Sequence, residues 1–182
     1  MNTQAEAIAI TVNTLLYIIG KLGGSADFHK VFKILYFADQ KHLARYGSAI
    51  TEDRYIAMSY GPVPSMAYDI VKSLRNEGLM ASFREQFTPY FELIGKSDLR
   101  AKTAPDEEYL SESEIRCLDE SVRESAHLSF RERTEKSHDL AWQKAESNGE
   151  MDLLEIARAG GAENGTIDYI RQSLENRDAL FE

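Results

Sequence analysis

One cysteine, one tryptophan and four prolines are all that 182 residues hold of those types, and the shortages exclude whole classes of protein. A lone Cys117 rules out an internal disulfide framework and a cysteine-based zinc cluster. No apolar run reaches the roughly 20 residues of a membrane-spanning helix. The best stretch, Ile8 to Leu22, is shorter and is broken by Thr11, Asn13 and Lys21. The N-terminus shows neither a basic segment nor a small-residue cleavage site, so no secretory leader is expected and the reducing cytoplasm is the expected location. Catalytic signatures are missing as well: there is no nucleophile elbow, no phosphate-binding loop and no metalloprotease helix motif. Gly160-Gly161-Ala162-Glu163-Asn164-Gly165 is glycine-rich, but no strand precedes it, and a turn between two short helices explains it better. The four histidines, His29, His42, His127 and His138, include no i, i+3 or i, i+4 pair, so no helix carries a local metal site. No cofactor and no enzymatic activity are expected.

Positive charge is the other scarcity. Residues 1–100 carry 11 Lys and Arg against 10 Asp and Glu, while residues 101–182 carry 10 against 20, so the acidic excess lies wholly in the second half. Phosphate backbones are gripped by clustered cations, which argues against nucleic acid as a partner there. An acidic half suits a basic partner, or serves only to keep the protein soluble. Glu107 and Glu108, within the Asp106-Glu107-Glu108 cluster, are candidates for electrostatic contact with such a partner. The default for that cluster and for Glu52-Asp53 is a solvated acidic turn.

What the chain does have is helical periodicity and a 43% hydrophobic content sufficient for one real core. Residues 4–22 form an amphipathic pattern ended by Gly23-Gly24. Asp27 is placed to cap the next helix, whose stripe of Phe28, Val31, Phe32, Leu35, Ala38, His42, Leu43 and Tyr46 is widened by Ile34 and Phe37. That helix is expected to be central, with Lys30, Lys33, Lys41 and Arg45 on its wetter face and Gly47 as its stop. Residues 48–64 read as irregular with a short extended run, and Ser65 to Asn76 as a third helix. Leu79 to Ile94 reads as a β-hairpin and Gly95 to Asp106 as a polar connector. Ser111 and Glu114 have the spacing of a capping box. Short helices are expected over 129–147, 150–159 and 166–177. The expected fold is mainly α with a small β-hairpin (α+β): a compact helical domain around a central buried helix, with a winged-helix-like hairpin. A helix followed by a hairpin is also how winged helices sit on DNA. Residues 65–95 hold three Lys and Arg against four Asp and Glu, which counts against DNA and leaves a protein-binding scaffold.

The densest information lies in Lys30 to Leu79. Gly61-Pro62-Val63-Pro64 fixes φ at two prolines and pushes the residues before them out of the α region, so the loop is stiff before anything binds it. Tyr60 and Met58 stand on its approach. With Lys33, Leu35-Tyr36-Phe37-Ala38, His42-Leu43, Tyr46-Gly47 and Ile50, the run Tyr60-Gly61-Pro62-Val63 resembles the core motif of the Panacea domain, the SocA-like antitoxin family. A weaker match follows at His138 to Trp142. The resemblance spans Ala5 to Ala145 loosely and Lys30 to Leu79 with some specificity.

The resemblance implies a non-enzymatic antitoxin that binds a co-encoded toxin and holds it inactive. Many relatives lie in phage or prophage regions, and SocA-like members present the toxin to a cytoplasmic protease, so a proteolytic adaptor is one alternative and a DNA-binding regulator the other. The partner expected is a cognate toxin; neither nucleic acid nor a membrane is expected. Candidate partner-binding residues are Met58, Tyr60, Gly61, Pro62, Val63 and His138, with Glu107 and Glu108. Residues 1–147 are read as the antitoxin domain. Residues 148–182, with apolar positions such as Leu153, Ile156, Ile167 and Ile170, are read as a C-terminal helical extension packed on or near it.

Overall fold

Helix α2 (Phe28–Tyr46) is the element that the others surround. The Asp27 carboxylate accepts from the His29 and Lys30 amides and starts it, and Gly47, at φ 76°, ends it in the left-handed conformation that glycine takes without strain. Val31 through Asp39 are buried without a break, so this helix has no solvent face along its middle. A computed structural model describes residues 3–179 of the chain. Met1 and Asn2, where the leader expectation begins, and the last three residues of the expected extension lie outside them.

Two apolar clusters flank α2. The first joins Val31, Phe32, Leu35 and Ala38 to α1 (Gln4–Lys21), α3 (Ser65–Ser73) and α5 (Glu112–Ser125). Leu15, Ile18, Ile70 and Leu118 are inward from these helices, all with no measurable exposure. The second cluster joins Tyr36, Phe37 and Leu43 to Ala141 and to residues past 148: Met151, Ile156, Ala157, Ile167 and Ile170. Those last side chains come from the segment before α8 (Leu153–Ala159), from α8 itself and from α9 (Asn164–Asp178). Between α5 and α8 run α6 (Phe130–Ser137) and α7 (Leu140–Lys144), started by Ser129 and Asp139. The capping boxes are complete at Thr3–Glu6, Ser111–Glu114 and Ser129–Glu132.

The β part is small. Strand β1 (Ser25–Asp27) pairs with β5 (Asp98–Ala101), which pairs with β4 (Phe91–Ile94), all antiparallel. The hairpin therefore lies at 91–101, not at Leu79 to Ile94, and the expected connector contains a strand. Arg84–Phe87 forms the one-turn helix α4, preceded by a 3-10 turn at Ala81–Phe83. Phe83 and Phe87 stand four apart, a helical spacing, and only Phe87 is buried. Leu99, a single inward residue in a polar stretch, seats β5 with no exposure.

Residues 55–64, where only a short extended run is expected, form a second hairpin: β2 (Tyr55–Met58) and β3 (Gly61–Pro64) joined by Ser59-Tyr60. Two prolines fit a four-residue strand because of register. Pro62 and Pro64 lie opposite Ala57 and Tyr55, whose backbone groups bond outward to Gly149, Asn148 and Met151 instead. No amide is therefore required of either proline.

Three side-chain placements differ from expectation. Lys33 is wholly buried rather than on the wet face, because its ammonium reaches a backbone acceptor across the core boundary. Asp53 is not a solvated acid: it is 7% exposed and accepts from the Met66 and Ala67 amides at 2.8 and 3.0 Å, capping α3. Tyr46, expected on the buried stripe, is 43% exposed, because the last turn of α2 runs past the core. His42 is the hydrogen-bonded core histidine expected, with Nδ1 at 2.7 Å from the Ser48 carbonyl and Nε2 at 3.1 Å from Ser113 Oγ.

Leu35 sits in the middle of the first cluster. Leu35→Ala should cost about 2–5 kcal/mol in urea unfolding. A loss below about 1 kcal/mol would place Leu35 at the surface and contradict this packing.

Candidate functional site

The tip of the β2–β3 hairpin is held by three side chains from two other parts of the chain, each taking one carbonyl. The Lys33 ammonium donates to the Pro62 carbonyl at 2.7 Å. His29, also on α2, donates from Nε2 to the Tyr60 carbonyl at 3.3 Å. The Trp142 indole, on α7, donates to the Met58 carbonyl at 2.9 Å. Carbonyls at 58, 60 and 62 are thus all satisfied by side chains, which fixes the turn's position over α2.

The clamp residues are themselves positioned. Asp139 caps α7 through the Ala141 and Trp142 amides at 3.0 and 3.1 Å. Its other oxygen accepts from Tyr36 Oη and Gln40 Nε2, both at 2.8 Å. The central helix therefore sets where α7 starts and where the indole points. His138 stacks on Trp142 with ring centroids 3.7 Å apart. Gly61, at φ 95°, is the position where close approach demands glycine: a Cβ there would run into Ser137 Oγ and lie 3.0 Å from Lys33 Cε.

Above this clamp two aromatic rings face solvent. Tyr60 is 61% exposed and Phe130, the first residue of α6, is 45% exposed. They meet edge to face at 5.4 Å, and Phe130 stacks on His29 at 4.1 Å. Among the expected contact residues of the hairpin and the His138 region only Tyr60 is fully presented. Met58, Val63 and His138 are partly buried, and Gly61 and Pro62 are buried. Glu107 and Glu108 are exposed on a 3-10 turn packed against α1, not among the residues that hold the tip. Phe130 and Asp139 are not singled out by the sequence reading, and His29 enters it only among the histidines without metal-site spacing. Phe130 is a lone aromatic in a polar helix, the one cue that existed.

The electrostatics beneath the tip are unusual. Burial, with Arg133 second, brings Lys33 from 10.5 down to about 7. Burial and the Lys33 charge bring His29 down to about 4, so its ring is neutral near pH 7. Arg133 is 5% exposed and donates to the Leu128 carbonyl. Neither Lys33 nor Arg133 forms an ion pair among the described residues. No group of three or more His, Cys, Asp or Glu among those residues is arranged to hold a metal.

The residues that converge here, Lys33, Tyr36, Tyr60 to Val63 and His138 to Trp142, are among those on which the sequence resemblance rests. The family model for the SocA-like antitoxin, Panacea domain, matches residues 31–143. The chain belongs to that family. No curated protein and no solved structure matches it. The matched span of the Panacea domain runs from α2 into α7 and so holds nearly the whole clamp; His29 lies just before it. Among the described residues no helix is long and apolar enough to cross a membrane.

The depressed Lys33 has a sign that can be tested. Between about pH 7 and 10.5 the unfolded chain binds a proton that the folded chain does not, so stability rises with pH across that window and levels off at its lowest contribution below about 7. Lys33→Met removes this contribution. From about pH 7 to about pH 9, wild-type stability should gain about 2 kcal/mol on the variant in urea unfolding. A difference that does not change with pH would contradict the burial of a titrating lysine.

Proposed function

We propose that this Panacea-domain protein is an antitoxin that holds a co-encoded toxin inactive by direct contact, without catalysis, and that the hairpin tip is the contact. The observation that carries the reading is a pair of exposed aromatic rings in contact, Tyr60 on a hairpin tip whose carbonyls are already bonded and Phe130 at the start of α6. A surface fixed before binding loses little conformational freedom on docking, and tyrosine is among the residues that dominate interface energetics. Met58, Val63 and His138 extend the contact, while Gly61 and Pro62 shape it from beneath. Glu107 and Glu108 act at a distance by speeding encounter with a basic toxin. Residues 1–147 are the antitoxin domain in this reading and 148–182 a helical extension of it. Antitoxin and toxin share the cytoplasm.

The test is co-expression with the product of the neighbouring open reading frame. That product should arrest growth alone and be rescued by this protein. Tyr60→Ala and Phe130→Ala should each weaken binding by at least about 2 kcal/mol and reduce rescue, with melting temperatures close to wild type. A toxin kept inactive in a purified, protease-free mixture separates direct neutralisation from delivery to a protease. A neighbour that is harmless, or harmful but not rescued, overturns the reading.

A further inference from the structure

Away from the hairpin tip, a cleft of about 860 Å³ opens where the C-terminal end of α2 and the 47–55 loop meet α8 and α9. Its size falls among ligand-binding clefts, roughly 300–1,000 Å³. The floor is apolar: Tyr55, Met151, Ile156 and Ile170 line it, each no more than 4% exposed. Leu174, partly buried, and Tyr169, 59% exposed, form the α9 wall. Tyr169 is seated on Gly47, where a Cβ would lie 2.6 Å from its ring.

The rim has the opposite chemistry. Glu52, Glu150 and Asp152 are exposed at it, and Asp53 lies deeper. Arg54 is the one basic side chain lining the cleft among the described residues, and it is already paired with Glu150 at 3.4 Å. Three exposed carboxylates against one engaged guanidinium leave the mouth negative over a greasy floor. One wall, residues 43–55, lies inside the Panacea match, whereas the other, residues 150–176, lies beyond its end at 143.

We propose that this cleft is a second docking site, and that its occupant is a cationic amphipathic helix of a partner protein. Apolar residues on one face of such a helix fill the floor, and lysines or arginines flanking them meet Glu52, Glu150 and Asp152. Helix-in-groove recognition works through spaced apolar anchors of this kind. The charge of the rim selects the sign of the flanking residues and speeds encounter, most at low salt. Because half of the cleft is built by residues outside the family match, it gives this chain a specificity that the Panacea domain alone does not carry. The inference does not require the partner to be a toxin.

The probe is a fluorescently labelled synthetic helix of leucine and lysine, titrated into the full-length protein and read by anisotropy, with a leucine–glutamate helix of the same pattern as control. The lysine helix should bind and the glutamate helix should not. Glu52→Lys with Glu150→Lys should weaken binding at least tenfold, and so should Leu174→Asp on the apolar wall. Circular dichroism and melting temperature check that each variant folds. Tyr60→Ala should leave peptide binding unchanged, so failure of the antitoxin reading and failure of this one give different results. No binding, equal binding of both helices, or loss on charge reversal with none at Leu174 overturns the proposal, the last because it leaves only diffuse attraction to an acidic protein. Binding that emerges only after residues 180–182 are removed assigns the cleft to the chain's own end and overturns it as well.

Discussion

A helix buried on every side along its middle can carry polar groups there only where each has a partner, and the middle of α2 carries three. Lys33, Tyr36 and Asp39 follow one another at intervals of three, all with no exposure. Each reaches a segment that has no helical reason to lie where it does. Lys33 takes the Pro62 carbonyl of β3, and Tyr36 takes the Asp139 carboxylate that starts α7. Asp39 accepts from the Ile50 amide and Tyr55 Oη, both at 2.6 Å, and from Thr51 Oγ1 at 3.0 Å, which holds the 47–55 loop. An unpaired polar group in that interior would cost far more than a surface one, so each bond is enforced by the burial of its neighbours. Apolar packing sets where the helices sit; these three groups set where the irregular segments between them go.

That constraint connects the fold to its surfaces. The hairpin tip is presented because Lys33 and His29 hold it from below and Trp142 from the side, and Trp142 is aimed by Asp139, which is aimed by Tyr36. The acidic cleft depends on the same helix, since Asp39 fixes Tyr55 and the loop that forms one wall. A surface of two aromatic rings and a cleft with an acidic mouth thus rest on neighbouring turns of α2. Burying charged groups for the sake of position is a poor route to stability and a good one to a unique arrangement. The neutral state of His29 and the lowered affinity of Lys33 for its proton are the cost of that arrangement.

Local signals made much of this legible. Asp27 and Gly47 bound α2 correctly, the Ser111–Glu114 box starts α5, and the unbroken apolar stripe marks the central helix. The proline-rich run was recognisable as stiff, and with its neighbours it identified the family. What the sequence did not show depends on partners far along the chain. Lys33 bonds to a residue 29 positions away and Tyr36 to one 103 away, and nothing near either residue signals it. A lysine on a helix is solvated by default, which is why its burial was not foreseen. The misplaced hairpin has a different cause. Aromatic and β-branched residues around 79–94 carry strand preference, but preference is overridden where Phe87 can bury itself from a single helical turn and Leu99 can seat a strand.

The central claim is that buried polar groups on α2 hold the loop and hairpin in place separately from the apolar core. Native-state amide hydrogen exchange on Asp39→Asn tests it most directly, because exchange resolves local opening from global unfolding. The substitution removes the carboxylate that Ile50, Thr51 and Tyr55 share. Exchange should speed up at Ile50, Thr51 and the β2–β3 amides, while amides in the middle of α1 and α5 keep the protection that global stability gives them. Equal acceleration at every amide, or none at the loop, would contradict the account, because it would mean that the irregular segments are held by the core alone.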